Sequence, residues 1–130
     1  MSEDKRTGVL ILGHGSRYPQ GQRVITETAA RYQALHPGLS VAHGFVEMAH
    51  PQLEESVTAL AEAGHTTIIV VPLFLSFGHH IAKDLPDRMA AMQAAYPAVK
   101  FITTAPIGAD PLLCDIVQAR IEACVPACVD

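Results

Sequence analysis

The chain contains no tryptophan, and only 5% of its residues are aromatic. Stacking platforms for bases or sugars are therefore not advertised. Positive charge is scarce as well: nine Lys and Arg stand against thirteen Asp and Glu, a formal net charge of −4. Neutralising nucleic-acid phosphates needs a surplus of Lys and Arg, which argues against a nucleic-acid partner. No apolar run approaches the roughly 20 residues that span a bilayer, so no membrane association is expected. The first residues, Met1–Thr7, are polar and lack the apolar core of a signal peptide, and a cytoplasmic location is expected. Cysteine is limited to Cys114, Cys124 and Cys128. An odd number without an export signal does not make a disulfide framework, and no further ligands lie close enough in sequence for a structural zinc.

What is present is an ordinary globular composition. The 130 residues are 49% hydrophobic, enough for one domain with a real core; residues 1–7 and 124–130 read as tails. Changes of hydrophobic period mark the elements. Val9–Gly13 is a short apolar strand followed by a glycine-rich turn. From Gln22 to Leu35 a helix is expected, with Val24, Ala29, Tyr32 and Leu35 at helical spacing, stopped at His36-Pro37-Gly38. Leu39–Val46 reads as a second strand. Pro51 can open a helix carrying Leu53, Val57, Leu60 and Ala61, and Gly64 ends it. Thr66–Leu75 is the strongest strand signal, its β-branched run suited to a central strand covered on both faces. A helix from Ala82 to Tyr96, with Leu85, Met89 and Met92 inward, a strand at Val99–Thr104 and a helix from Asp110 to Ala123 complete the chain. This alternation predicts an α/β, flavodoxin-like fold: a four-stranded, mainly parallel sheet flanked by helices.

In open sheets of this kind, ligands bind beyond the carboxyl ends of the strands. Three unusual segments fall there: Gly13–Arg17, Glu47–Pro51 and Ser76–Asp84. In the first, glycines flank His14 and leave its imidazole uncovered. Neither a dinucleotide fingerprint nor a P-loop accompanies it. The second offers Glu47 as a base, a ligand or a helix N-terminal charge, with His50 as a cap or surface residue. The third contains His79 and His80, which point differently, so one metal would take only one of them. Asp84 lies four residues after His80, placed to accept from its second ring nitrogen or to stabilise a helix N-terminus. His36, His43 and His65 read as surface or packing residues. Imidazoles plus a carboxylate suit a divalent transition metal, and an incomplete ligand set suits passing it on.

These segments resemble the class II chelatases, specifically the small CbiX-type sirohydrochlorin cobaltochelatases and their nickel-inserting relatives. The resemblance rests on Leu10 through Arg17, on Phe45-Val46-Glu47 followed by Pro51, and on Pro72-Leu73-Phe74-Leu75 with Gly78, His80, Asp84 and Pro86. It implies a chelatase-like lobe that inserts Co(II), or in relatives nickel or iron, into sirohydrochlorin without ATP, on the route to cobalamin. It places the two metal-binding histidines on His14 and His80 and the carboxylate on Glu47. No permanently bound cofactor is implied; the divalent metal is a substrate. Larger members carry two lobes, so a single lobe implies a homodimer. His14 and His80 are expected to hold the metal and accept protons, with Glu47 assisting. Gly15, Ser16, Arg17, Ser76, Phe77, Gly78, His79 and Lys83 are expected around the substrate, Arg17 and Lys83 meeting its carboxylates. The rival classes are a non-catalytic metal carrier using the same histidines and a phosphate binder using the Gly13–Gly15 backbone.

Overall fold

A computed structural model describes residues 6–124. Four strands and four helices alternate: β1 (Thr7–Gly13), α1 (Pro19–Leu35), β2 (Ser40–Phe45), α2 (Leu53–Glu62), β3 (Thr67–Pro72), α3 (His79–Ala95), β4 (Lys100–Thr103) and α4 (Leu112–Cys124). The sheet has the order β2-β1-β3-β4 and every pairing is parallel. β1 is therefore central and reaches back to Thr7, a residue the sequence assigned to the tail. Among the described residues, no helix is long and apolar enough to cross a membrane.

Alternation along the strands divides the core in two. Leu10, Leu12, Ile68 and Val70 point to one face, where Leu53, Val57 and Leu60 of α2 and Ile81, Leu85, Met89 and Met92 of α3 cover them. Val9 and Ile11 point to the other, against Ile25 and Ala29 of α1. Leu53 and Val57 are fully buried, each such side chain contributing roughly 1.5–3 kcal/mol. The inward face of α1 is Ile25–Ala29; Val24 and Leu35, placed on the helical stripe by sequence, are 60% and 74% exposed.

Every helix start differs from expectation: α1 begins at Pro19 rather than Gln22 and α4 at Leu112 rather than Asp110, and the other two differences bear on the site. Pro51 does not open α2: it follows a cis His50–Pro51 peptide, and Gln52 is the N-cap, in a capping box with Glu55. The reciprocal bonds of that box satisfy free N–H groups that a proline at the helix start would leave to water. α3 begins at His79 rather than Ala82, so both neighbouring histidines lie in its first turn. Pro86 is inside α3, where it removes one rung of the helical ladder.

Candidate functional site

The parallel pairing of β1 with β2 continues past both strands. Val46 N donates to Gly13 O at 2.9 Å, and Glu47 N donates to His14 O at 3.1 Å. This zipper sets the two side chains abreast, with His14 Nε2 3.7 Å from Glu47 Oε1. Both stay accessible, at 56% and 38% side-chain exposure, as a site that receives and releases an ion requires.

Gly15 makes the approach possible. Its φ is +116°, and a Cβ on it would lie 1.6 Å from the Glu47 carbonyl oxygen. Only glycine fits. Beyond it, Ser16 Oγ accepts from Tyr18 N at 3.0 Å, and Ser16 O accepts from the Gln22 side chain at 2.9 Å, closing the turn onto α1. Ser16 thus stabilises the turn, while Arg17 is exposed beside it. After Glu47 the chain passes through Met48, whose φ is +64°, a conformation that costs a non-glycine residue energy and leaves its side chain 55% exposed.

The third segment joins through an aromatic chain. β1 also extends its pairing with β3, as Leu73 N donates to Leu12 O at 2.8 Å. Buried Phe74 then meets the His14 imidazole edge-on, with centroids 5.9 Å apart, and Phe77 packs on Phe74 at 5.8 Å. Leu75 and Ser76 are exposed, and Gly78 is the N-cap of α3. His79, His80, Lys83, Asp84 and Asp87 line a depression of about 410 Å³. His14 and Glu47 are not among its lining residues. The fold thus pairs His14 with Glu47 and groups His79, His80 and Lys83, and the two groups line no common hollow. Among the described residues, no three His, Cys, Asp or Glu side chains converge as a metal-holding group.

Asp84 does not serve His80. Its carboxylate faces Arg88 Nη1 at 3.3 Å, because a guanidinium four residues on offers a full charge where a neutral imidazole offers one N–H. Arg88 is the residue that sequence reasoning missed. Its Nε and Nη2 grip both oxygens of Glu54 at 2.6 Å each, and Nη1 donates to Val46 O at 2.8 Å. One side chain on α3 therefore holds α2 and the backbone directly before Glu47. The available signals were the Asp84/Arg88 spacing and a glutamate in the first turn of α2, but neither reveals the other. His50, in contrast, is engaged with Glu55 at 2.6 Å, and Glu55 is held below the ordinary carboxylate range first by the Gln52 backbone N–H and then by His50.

The Arg88 grip makes a testable contribution to acid stability. Its hydrogen bonds lower the Glu54 carboxyl below the ordinary glutamate value, against a smaller opposing effect of burial. A carboxylate lowered in the folded state contributes stability that is complete above the unfolded value, about 4.3, and is lost as pH falls through the lowered folded value. Glu54 remains 40% exposed, so solvent screening keeps the contribution small. Arg88→Met should cost about 1–2 kcal/mol at neutral pH, and the acid-side fall in stability should become shallower. Urea unfolding from pH 7 down to pH 3 measures both; an unchanged midpoint at neutral pH would contradict the assignment.

Comparison with known proteins gives a consistent set of relatives. A family model described as CbiX matches residues 8–124. A sirohydrochlorin cobaltochelatase of Methanosarcina acetivorans is 33% identical over 91% of this chain and 96% of its own. That of Methanothermobacter thermautotrophicus is 33% identical over 95% and 96% of the two chains. Among solved structures, the sirohydrochlorin chelatase SirB of Bacillus subtilis subspecies spizizenii, in complex with cobalt, superposes with a TM-score of 0.78 at 28% identity. It is matched over 90% of this chain but 50% of SirB. A Marinobacter aquaeolei structure described as a cobalamin biosynthesis CbiX protein gives a TM-score of 0.78 at 24% identity, over 93% of this chain and 98% of that one; at that identity the likeness speaks to fold alone.

Proposed function

The chain belongs to the CbiX family and is a metal chelatase, and from that premise we propose that it inserts Co(II) into sirohydrochlorin without ATP, on the route to cobalamin in the cytoplasm. The observation that carries this reading is the accessible His14–Glu47 pair at 3.7 Å, held at the carboxyl edge of a parallel sheet by backbone hydrogen bonds. The chain acts as one lobe, and two copies form a homodimer with the macrocycle between them. The match to half of SirB supports this reading.

The reaction replaces two pyrrole N–H protons with one divalent ion. His14 and His80 hold the ion through neutral imidazole nitrogens and, as the ion leaves, take up the released protons. Glu47 steadies the positive charge then forming on His14, because a carboxylate beside an imidazolium favours it. His80, in the first turn of α3, takes the second ligand role, and His79 lies at the depression's rim with Lys83. Arg17 and Lys83 meet carboxylates of the substrate. Gly15, Ser16, Ser76 and Gly78 shape the backbone around it, and the exposed apolar groups Met48 and Leu75, with Phe77, suit a flat macrocycle's face.

The test mixes purified protein with sirohydrochlorin and Co(II) and follows the absorbance change of metallation. A rate well above the protein-free reaction is expected, and His80→Ala should lower it by about 10²-fold while His79→Ala lowers it far less. No acceleration by the wild-type protein would overturn this reading in favour of the metal carrier or the phosphate binder. The reverse order of the two variants would move the ligand to His79. Iron is the second reading for the ion, favoured by the similarity to an Arabidopsis thaliana sirohydrochlorin ferrochelatase, 28% identical over 91% of this chain, and competitive metallation with Fe(II) and Ni(II) separates the three.

A further inference from the structure

Insertion as proposed needs His14, Glu47 and His80 on one ion, yet the hollow that His80 lines takes in neither His14 nor Glu47. His14 and Glu47 follow β1 and β2, whereas His80 is in the first turn of α3. Apolar packing fixes the distance between a sheet edge and a helix end only loosely, because burial is non-directional. Hydrogen bonds fix direction as well, and at this junction Arg88 bonds to both sides. Its Nη1 donates to the Val46 carbonyl at 2.8 Å. The N–H of that same peptide unit, on Glu47, donates to His14 O at 3.1 Å. Nη1 also reaches Asp84 Oδ2 at 3.3 Å, and Asp84 lines the depression with His79, His80 and Lys83. Asp84 stands one turn after His80, and Arg88 one turn further. Between Asp84 and Arg88 lies Pro86, which has no N–H for the Ala82 carbonyl four residues back. The helical ladder is thus interrupted just after the turn that carries His80, and the Asp84–Arg88 contact spans the gap. Glu54 grips the guanidinium through both carboxylate oxygens at 2.6 Å, which fixes its plane. The Arg88 side chain is 21% exposed, so it stands behind the site.

We infer that Arg88 is a positioning residue for metal insertion: it sets the turn carrying His80 against the His14–Glu47 pair, acting through Asp84 and the Val46–Glu47 peptide. It touches neither the ion nor the macrocycle. The inference rests on the chelatase reading, with His80 as second ligand, and adds the part that makes two separate groups act as one. Partners that orient a metal's ligands from behind affect affinity and rate nearly as much as the ligands do. A plain packing role predicts something else, namely lost stability with no change in rate per folded molecule. Arg88→Lys is informative here. An ammonium keeps the charge but lacks the rigid fork that holds the carbonyl and both carboxylates in fixed directions.

Steady-state metallation with sirohydrochlorin and Co(II), corrected for the folded fraction by circular dichroism, tests this against Val57→Ala. Val57 is fully buried in the same apolar layer as Leu85 and Met89, so its truncation weakens that layer and leaves the polar clamp unaltered. Arg88→Met should lower kcat by about 10–10²-fold with KM little changed, and Arg88→Lys should lie between it and wild type. Val57→Ala should keep the wild-type kcat. Titration with Co(II) alone should show binding to Arg88→Met weakened about tenfold, because the two imidazoles are no longer presented together. Equal kcat for Arg88→Met and Val57→Ala, per folded molecule, would overturn the positioning role and leave the chelatase reading standing. A raised KM at unchanged kcat would make Arg88 a substrate contact and overturn it as well. If Arg88→Met does not fold, Arg88→Lys decides: wild-type kcat and Co(II) affinity in that variant would sink the inference. No acceleration by the wild-type protein would overturn the chelatase reading, and this one with it.

Discussion

His14→Ala should lower the rate of cobalt insertion into sirohydrochlorin by about 10²–10³-fold while leaving the fold intact. The side chain is 56% exposed, and its protein contacts are Glu47 at 3.7 Å and the edge of Phe74. Removing an accessible side chain of this kind changes stability by no more than about 0.5 kcal/mol, so a loss of rate reports on chemistry. The imidazole is proposed to act twice, as ligand to the incoming ion and as acceptor for a pyrrole proton, and alanine does neither. Added imidazole should restore part of the rate, since the space vacated next to Glu47 opens to solvent. Glu47→Gln should have a smaller effect, because the amide keeps the shape and loses only the charge facing His14. Metallation kinetics at saturating substrate, with urea unfolding as the control, decide the matter. Wild-type turnover by His14→Ala would remove the residue from the mechanism.

Gly15→Ala is expected to be the most damaging change for stability near the site. The added methyl would sit 1.6 Å from the Glu47 carbonyl oxygen at a φ of +116°. That neighbour is backbone, so no side-chain rotation relieves the clash. Either the turn after β1 or the segment after β2 must move, breaking the hydrogen bond from Glu47 N to His14 O. Strain together with that loss should cost roughly 2–4 kcal/mol. Because the same bond sets His14 beside Glu47, the folded fraction should also metallate more slowly than wild type. Urea denaturation and the rate per folded molecule separate the two effects. Full retention of both would mean that the close backbone approach has no bearing on the pair.

The contrast between His14 and Arg88 shows what could be foreseen. His14 stands between two glycines at the end of an apolar run, a local signal that a short window contains. Glu47 likewise falls just past the end of its strand, two residues after β2. Arg88 has no such signal. Its partners Glu54 and Val46 are 34 and 42 residues away, and its role exists only because α2 and α3 lie on the same face of the sheet. The expected bond from His80 to Asp84 failed for the same reason: spacing told which residues share a helix face, but not which neighbour has the stronger claim on the carboxylate. Helix starts were read late at His79 and early at Pro51, since a cap is decided by hydrogen bonds that hydrophobic period does not register.

By itself, the sequence determined the alternation of strands and helices, their parallel arrangement, the inward residues of α2 and α3 and the kinship with chelatases. These follow from local periodicity and from short motifs, each contained in a stretch of a few residues. Tertiary structure alone decided the 3.7 Å pairing of His14 with Glu47, the Arg88 clamp behind it and the exposure of α4, none of whose residues is buried. The helical face of Leu113, Ile116, Val117 and Ile121 is legible in the sequence as apolar, but apolarity carries no address. Burial is favourable against any apolar surface, so which surface takes that helix depends on where the chain leaves the sheet and on what the other helices have left open.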